Sequence, residues 1–214
     1  MSVLTSIAPR ELPRPSLVPI LRLLDPIGIV EHSNGREPDP SQGHCVDDAG
    51  RALGLCALHP HDLAAKTVAS ACLLQLERCY DPTGTFVLRL DEFGRATAHP
   101  PSDDATARAI WGLALAATSP LPMRISLRSR VLLDLLRGFE SPFPRAAAHA
   151  AIAGARLLER GGDRDVGEEL VLRNVQYVPR RSADPRWRWP EPRLSYGNAL
   201  IPEALIRSGR AIGE

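Results

Sequence analysis

Lysine is almost missing from this chain. Lys66 stands alone, and arginine supplies the rest of 26 basic residues against 25 acidic ones. A net charge of +1 leaves no basic excess for a nucleic-acid backbone and no charged tail, so no nucleic-acid partner is expected. The Arg- and Ala-rich usage reads as the mark of a GC-rich genome rather than of a binding surface. No uncharged apolar run reaches 18 residues, and the N-terminus has no signal-peptide core. The expectation is a soluble, cytoplasmic protein with no membrane span. Cys45, Cys56, Cys72 and Cys79 include no CxxC pair and no zinc-type Cys/His spacing. Reduced, mostly buried thiols are expected, with no metal and no cofactor.

What is present is a core and a helical rhythm. The chain of 214 residues is 44% hydrophobic, enough for one domain. Residues 1–19 are proline-rich and read as an irregular arm, with a short helix following over "PILRLLD". Residues 20–214 read as a single domain. Apolar spacing near 3.6 predicts helices over residues 47–58, 61–79, 103–117, 124–138, 144–159, 165–174 and about 198–208. Between the second and third lies a turn or short hairpin. No segment alternates as a strand over several turns, so the class is all-α. Successive helix–loop–helix units suggest antiparallel hairpins, closed into an α/α toroid or left open as a solenoid.

Two of these helices start alike, with "VDDAGRAL" at residue 46 and "SDDATARAI" at residue 102. A helix N-terminus carries partial positive charge and free N–H groups, so acids there are held ionised and oriented. Asp47, Asp48, Asp103 and Asp104 are therefore either first-turn acids of ordinary caps or carboxylates facing one another across a cleft. Glycoside cleavage needs two such groups, one to protonate the leaving oxygen and one to activate water or attack. Glu191 and Glu203 are further candidates for the donor. Trp187, Trp189 and Tyr196 stand out where aromatics make up 5% of residues, and they either stack on sugar faces or pack a loop. Trp111 and His149, in apolar helices, read as core and as a satisfied or surface residue. The Ala and Gly content around His149 suggests close helix packing.

Three blocks carry a resemblance. "GIVEHSNGREPDPSQGHCVDDAGRAL", "SDDATARAIWGLA" and "WRWPEPRLSYGNALIPEAL" follow one another over residues 28–205. They resemble the GYCxDDNARAL, SEDSHGRALWALG and WxWFExxLTYDNARLPEAL motifs of a bacterial α/α-toroid, six-hairpin glycosidase-like family, encoded with or fused to glycosyltransferases. The resemblance implies a carbohydrate-active protein that hydrolyses a glycosidic bond, with Asp47, Asp48, Asp103, Asp104 and Glu191 as catalytic candidates. His32, His44, Arg51, Arg108, Trp187, Trp189, Tyr196 and Asn198 would then bind substrate, an oligosaccharide or glycoconjugate. The alternative it implies is a non-catalytic carbohydrate-binding or scaffold module beside a glycosyltransferase.

The chain departs from the pattern at Ala49, Thr106, Gly197 and Leu200, where the family has Asn, His, Asp and Arg. Those read as polar, inward-pointing positions lost, and with the helix count they imply a truncated or degenerate, incomplete toroid. An incomplete ring would expose an apolar flank and favour a homodimer. A third reading, a diphosphate-binding toroid, lacks the DDxxD spacing wanted for magnesium. The decisive expectation is geometric: carboxylates from different helices about 5–10 Å apart across a hollow.

Overall fold

Alanine, glycine and leucine repeat at helical spacing, and those stretches form helices in the computed structural model, which describes residues 16–182 and 184–214. Most of the expected N-terminal arm, residues 1–15, lies outside the described residues. The helices are α1 (Val18–Leu21), α2 (Val46–Leu58), α3 (Ala65–Cys79), α4 (Asp103–Ala117), α5 (Met123–Leu135), α6 (Pro144–Glu159), α7 (Arg164–Val175) and α8 (Leu200–Ile212). Strands occur only as two-residue antiparallel pairs among the described residues. β1 (Ser33–Asn34) pairs with β2 (Glu37–Pro38), β4 (Tyr80–Asp81) with β5 (Thr85–Phe86), and β3 (His44–Cys45) with β6 (Arg89–Leu90). The expected hairpin after α3 is β4–β5, turned at Gly84 with φ +86°. No helix of the described residues is long and apolar enough to cross a membrane.

The helices form two layers. α2, α4, α6 and α8 pack side by side in sequence, while α3, α5 and α7 back onto them. Each backing helix returns the chain, so the four front helices start at one end of the array. Glycine sets how closely they approach. A Cβ on Gly112 would lie 2.1 Å from the Gly50 carbonyl oxygen, and one on Gly154 would lie 2.6 Å from that of Gly167. α4 thus meets α2 backbone to backbone, and α6 meets α7 in the same way. The close packing expected of α6 is present.

Leu53, Leu73, Leu76, Ile110 and Leu113 lie in the main core, while Ala147, Ala148, Ala151 and Ile201 form a smaller one between α6 and α8. Trp111 packs against both. All four cysteines are free and buried, with Cys72 and Cys79 on one face of α3 as their spacing implied.

Several boundaries differ from the spacing, for local reasons. The helix expected from residue 61 starts at Ala65, because the Asp62 carboxylate accepts the Ala64 and Leu17 backbone N–H groups and holds a turn. The last helix begins at Leu200 rather than 198, since the Asn198 side chain closes a turn on Ser195. It runs on to Ile212, where left-handed Gly213 ends it.

Candidate functional site

The starts of the front helices are joined by arginines. Ser102 caps α4 by accepting the Ala105 N–H at 3.3 Å, which frees Asp103 and Asp104 from that task. α2 has no side-chain cap, so Asp47 and Asp48 are not capping residues either. Arg51 binds both of them, reaching Asp47 at 3.3 Å. Arg108 binds Asp104 on its own helix at 2.8 Å and Asp47 on α2 at 3.4 Å. One planar guanidinium therefore holds carboxylates from two helix tips. At the next tip, Ser141 ahead of α6 donates its hydroxyl to Asp103 at 2.7 Å.

Arg145 in the first turn of α6 completes the row. It forks onto Glu191 at 2.5 and 2.9 Å, and it also donates to Ser195, Asn198 and the Tyr196 carbonyl. The Tyr196 ring lies under both Arg145 and Arg108, with centroids 5.0 and 5.9 Å from the guanidinium carbons.

Electrostatics separates the acids. Burial, then the neighbouring Asp47 charge, pushes the Asp48 carboxyl up, against the pull of Arg51. Hydrogen bonds from Arg145 hold Glu191 below the usual carboxylate range despite burial. Glu31, paired to Arg89, brings a carboxylate oxygen near Asp48 and the Cys45 sulfur, all within 4.8 Å. Burial and Asp47 push the Cys45 thiol up to about 12.

Two concavities open along this row. One, about 400 Å³, is bounded by Asp103, Asp104, Arg145, Tyr196 and Phe143. The other, about 350 Å³, lies further along the helices and is lined by Arg51, Leu55, Leu58, Arg108, Trp111 and His149. His149 differs from the satisfied or surface residue that its place in the sequence implied. It is half-buried, its Nδ1 has no protein partner, and burial and then Arg108 press its pKa down to about 4. Trp111 is only partly core, since its ring also walls this pocket.

The expected site residues thus divide. Asp47, Asp48, Asp103, Asp104, Arg51, Arg108, Glu191 and Tyr196 come together at the helix starts. His44 does not take part as a ligand contact: it is fully buried, with Nε2 2.9 Å from Asp25, so it offers no surface. His32 sits exposed on the preceding loop beside Glu31. Trp187 and Trp189 turn their ring N–H groups onto Glu191, and Trp189 packs on the smaller core, so both brace the loop. Asn198 is spent on the turn before α8. Glu203 pairs with Arg207 one turn along α8.

Two departures from the family pattern also fall elsewhere than expected. Ala49 and Thr106 are fully buried, and the Thr106 hydroxyl meets that of Thr85 at 3.1 Å. They face the interior between the layers, so changes there do not strip polar groups from the hollow. Sequence reasoning missed Arg145, Ser141 and Glu31. Arg145 carried a signal, because a basic residue in a helix's first turn opposes the macrodipole and needs a strong partner.

No family model matches the chain, and no curated protein matches it. Among solved structures it is similar to the cellobiose 2-epimerase from Spirochaeta thermophila DSM 6192, at 17% identity and a TM-score of 0.58, over 92% of this chain and 67% of that one. The shared architecture is the all-α, α/α-toroid fold.

Proposed function

We propose that the row of helix starts is a saccharide site and that the protein is carbohydrate-active, cleaving a glycosidic bond of an oligosaccharide or glycoconjugate. The observation that carries this reading is Arg108 bound to Asp47 and Asp104, which gathers acids from distant parts of the chain beside an aromatic-walled hollow. The fold likeness to an enzyme named for cellobiose supports the same substrate class.

In this reading Asp48, whose carboxyl keeps its proton more readily than usual, donates to the leaving oxygen. Asp104, on the neighbouring tip, takes a proton from the attacking water. Glu191 serves as an anchor for Arg145 rather than as the donor, because that pair holds it ionised. Residues 20–214 act as one domain, since Trp111 joins both cores, and a second copy covers exposed apolar residues such as Ile206 on α8.

One observation favours a second reading, a binding or scaffold module that serves a glycosyltransferase. Asp47, Asp48, Asp103, Asp104 and Glu191 are each already bound to an arginine or a hydroxyl, an arrangement suited to reading sugar hydroxyls without turnover. Oligosaccharide-array binding, followed by product analysis of each bound sugar, tests both. Turnover by the wild type that Asp48→Asn abolishes while binding persists supports hydrolysis. Binding without product leaves the module, and an array with no bound saccharide removes both.

A further inference from the structure

The concavity of about 400 Å³ beside the starts of α4 and α6 is lined by both a carboxylate and a bare aromatic ring. Asp103 opens α4, and Phe143 stands just ahead of α6 with 64% of its surface exposed. Ser141 holds both of them. Its hydroxyl donates to Asp103 Oδ2 at 2.7 Å and accepts the Phe143 backbone N–H at 3.2 Å. Ser141 is in turn fixed by Asn174, whose Oδ1 accepts the Ser141 N–H at 3.3 Å while its amide donates to the Phe139 and Leu170 carbonyls. Ser141 and Asn174 are fully buried, so the acid and the loop that carries the ring are set in place before any ligand arrives.

Charge and free surface narrow what this place takes. Among the described residues Asp103 has no arginine partner, unlike Asp47, Asp48, Asp104 and Glu191. Its second oxygen, Oδ1, accepts no hydrogen bond there and is open to the concavity that Asp103 lines. Along the row those five carboxylates face three guanidinium groups, Arg51, Arg108 and Arg145, so negative charge remains even when Asp48 is protonated. A uronic acid or a phosphate would add to that excess, and a cation relieves it. Tyr196 already holds two guanidinium groups, whereas Phe143 holds none among the described residues and presents its ring to solvent. A carboxylate beside a free aromatic ring attracts a primary ammonium group twice, by ion pairing and by cation–π contact. We infer that Asp103 and Phe143 form a subsite for a protonated amino group, so that the saccharide bound along this row is an amino sugar with a free amine. The inference rests on the saccharide reading and adds to it the substituent that the site selects.

The probes are glucosamine and galactosamine oligosaccharides, each beside its N-acetylated counterpart of equal length. Acetylation removes the charge and leaves the ring hydroxyls, so each pair isolates the amine. In calorimetric titration at low salt the wild type is expected to bind the free amine about tenfold more tightly, an advantage that shrinks as salt is added. Asp103→Asn keeps an acceptor for Ser141, and Ser102 still caps α4, so this variant is expected to fold. It should lose the advantage yet bind the N-acetylated sugar as the wild type does, a split that a structural role would not produce. Phe143→Leu, a change at an exposed side chain, should cost the free amine about threefold. Equal affinity of the wild type for the two members of a pair, or an advantage that survives Asp103→Asn, overturns the amine subsite and spares the saccharide reading. Wild type that binds neutral sugars on the array but neither amine also overturns it, and wild type that binds no saccharide removes the saccharide reading as well.

Discussion

Arg108 Nη1 lies 3.4 Å from Asp47 Oδ2, tying the second turn of α4 to the first turn of α2 across 61 positions of sequence. The approach is possible because Gly50 and Gly112 let the two helix backbones touch. Helix packing and site geometry are therefore a single construction.

Gly112→Ala should show this dependence. The new methyl would sit 2.1 Å from the Gly50 carbonyl oxygen, and backbone cannot swing aside as a side chain does. Overpacking is expected to cost about 2 kcal/mol or more, outweighing the roughly 1 kcal/mol that alanine gains in helix propensity. Urea unfolding measures it, and an unchanged or raised midpoint would contradict the close approach.

Arg145 should matter for stability more than any acid at the tips. Its side chain and that of Glu191 are only 10% and 16% exposed, so Arg145→Ala strands a carboxylate and frees the loop before α8. A loss of about 2–3 kcal/mol is expected, discounted from the fully buried case. Trypsin should then cut at Arg186, Arg188 or Arg193 well before the rest of the chain; equal protection of that loop would argue against the anchor.

His149 gives the fold an acid sensitivity of known sign. Its folded pKa of about 4 lies below the ordinary 6.5, so between those values the unfolded chain holds the extra proton. Its contribution is fully present above pH 6.5 and is lost as pH falls towards 4, about 2 kcal/mol by pH 4.5. The difference between wild type and His149→Leu across that range isolates the term from the carboxylates. Parallel pH profiles for the two proteins would show that the ring is not buried as described.

Asp48 runs in the opposite sense. Its folded pKa is raised, so the folded protein takes the proton more readily and ionisation above that pKa costs stability. Asp48→Asn removes the cost, and at pH 7 its melting temperature should equal or exceed that of the wild type. A clear drop would mean that the Arg51 pair outweighs burial.

The fold class was legible because it rests on local spacing: α4 and α6 fall on the residues that their apolar repeats mark. The paired "DD" starts were legible for the same reason, since first-turn acids follow from the helix dipole. What spacing could not convey was which partner each charge meets. His44 reads as a polar loop residue, yet Asp25 draws it wholly inside, and Thr106 reads as a lost cleft group although it faces Thr85. Arg145 and His149 gain their meaning only when α6 lies between α4 and α8, and such contacts leave no local pattern.

The most direct test of the saccharide site is calorimetric titration of an array-selected sugar into wild type and Arg108→Ala, with folding of both checked by circular dichroism. Arg108 touches both helix tips, lines one pocket and lies over the Tyr196 ring that bounds the other, so its loss is expected to weaken binding at least tenfold, about 1.4 kcal/mol. Equal affinity in a folded Arg108→Ala protein would contradict a site built where the helix starts converge.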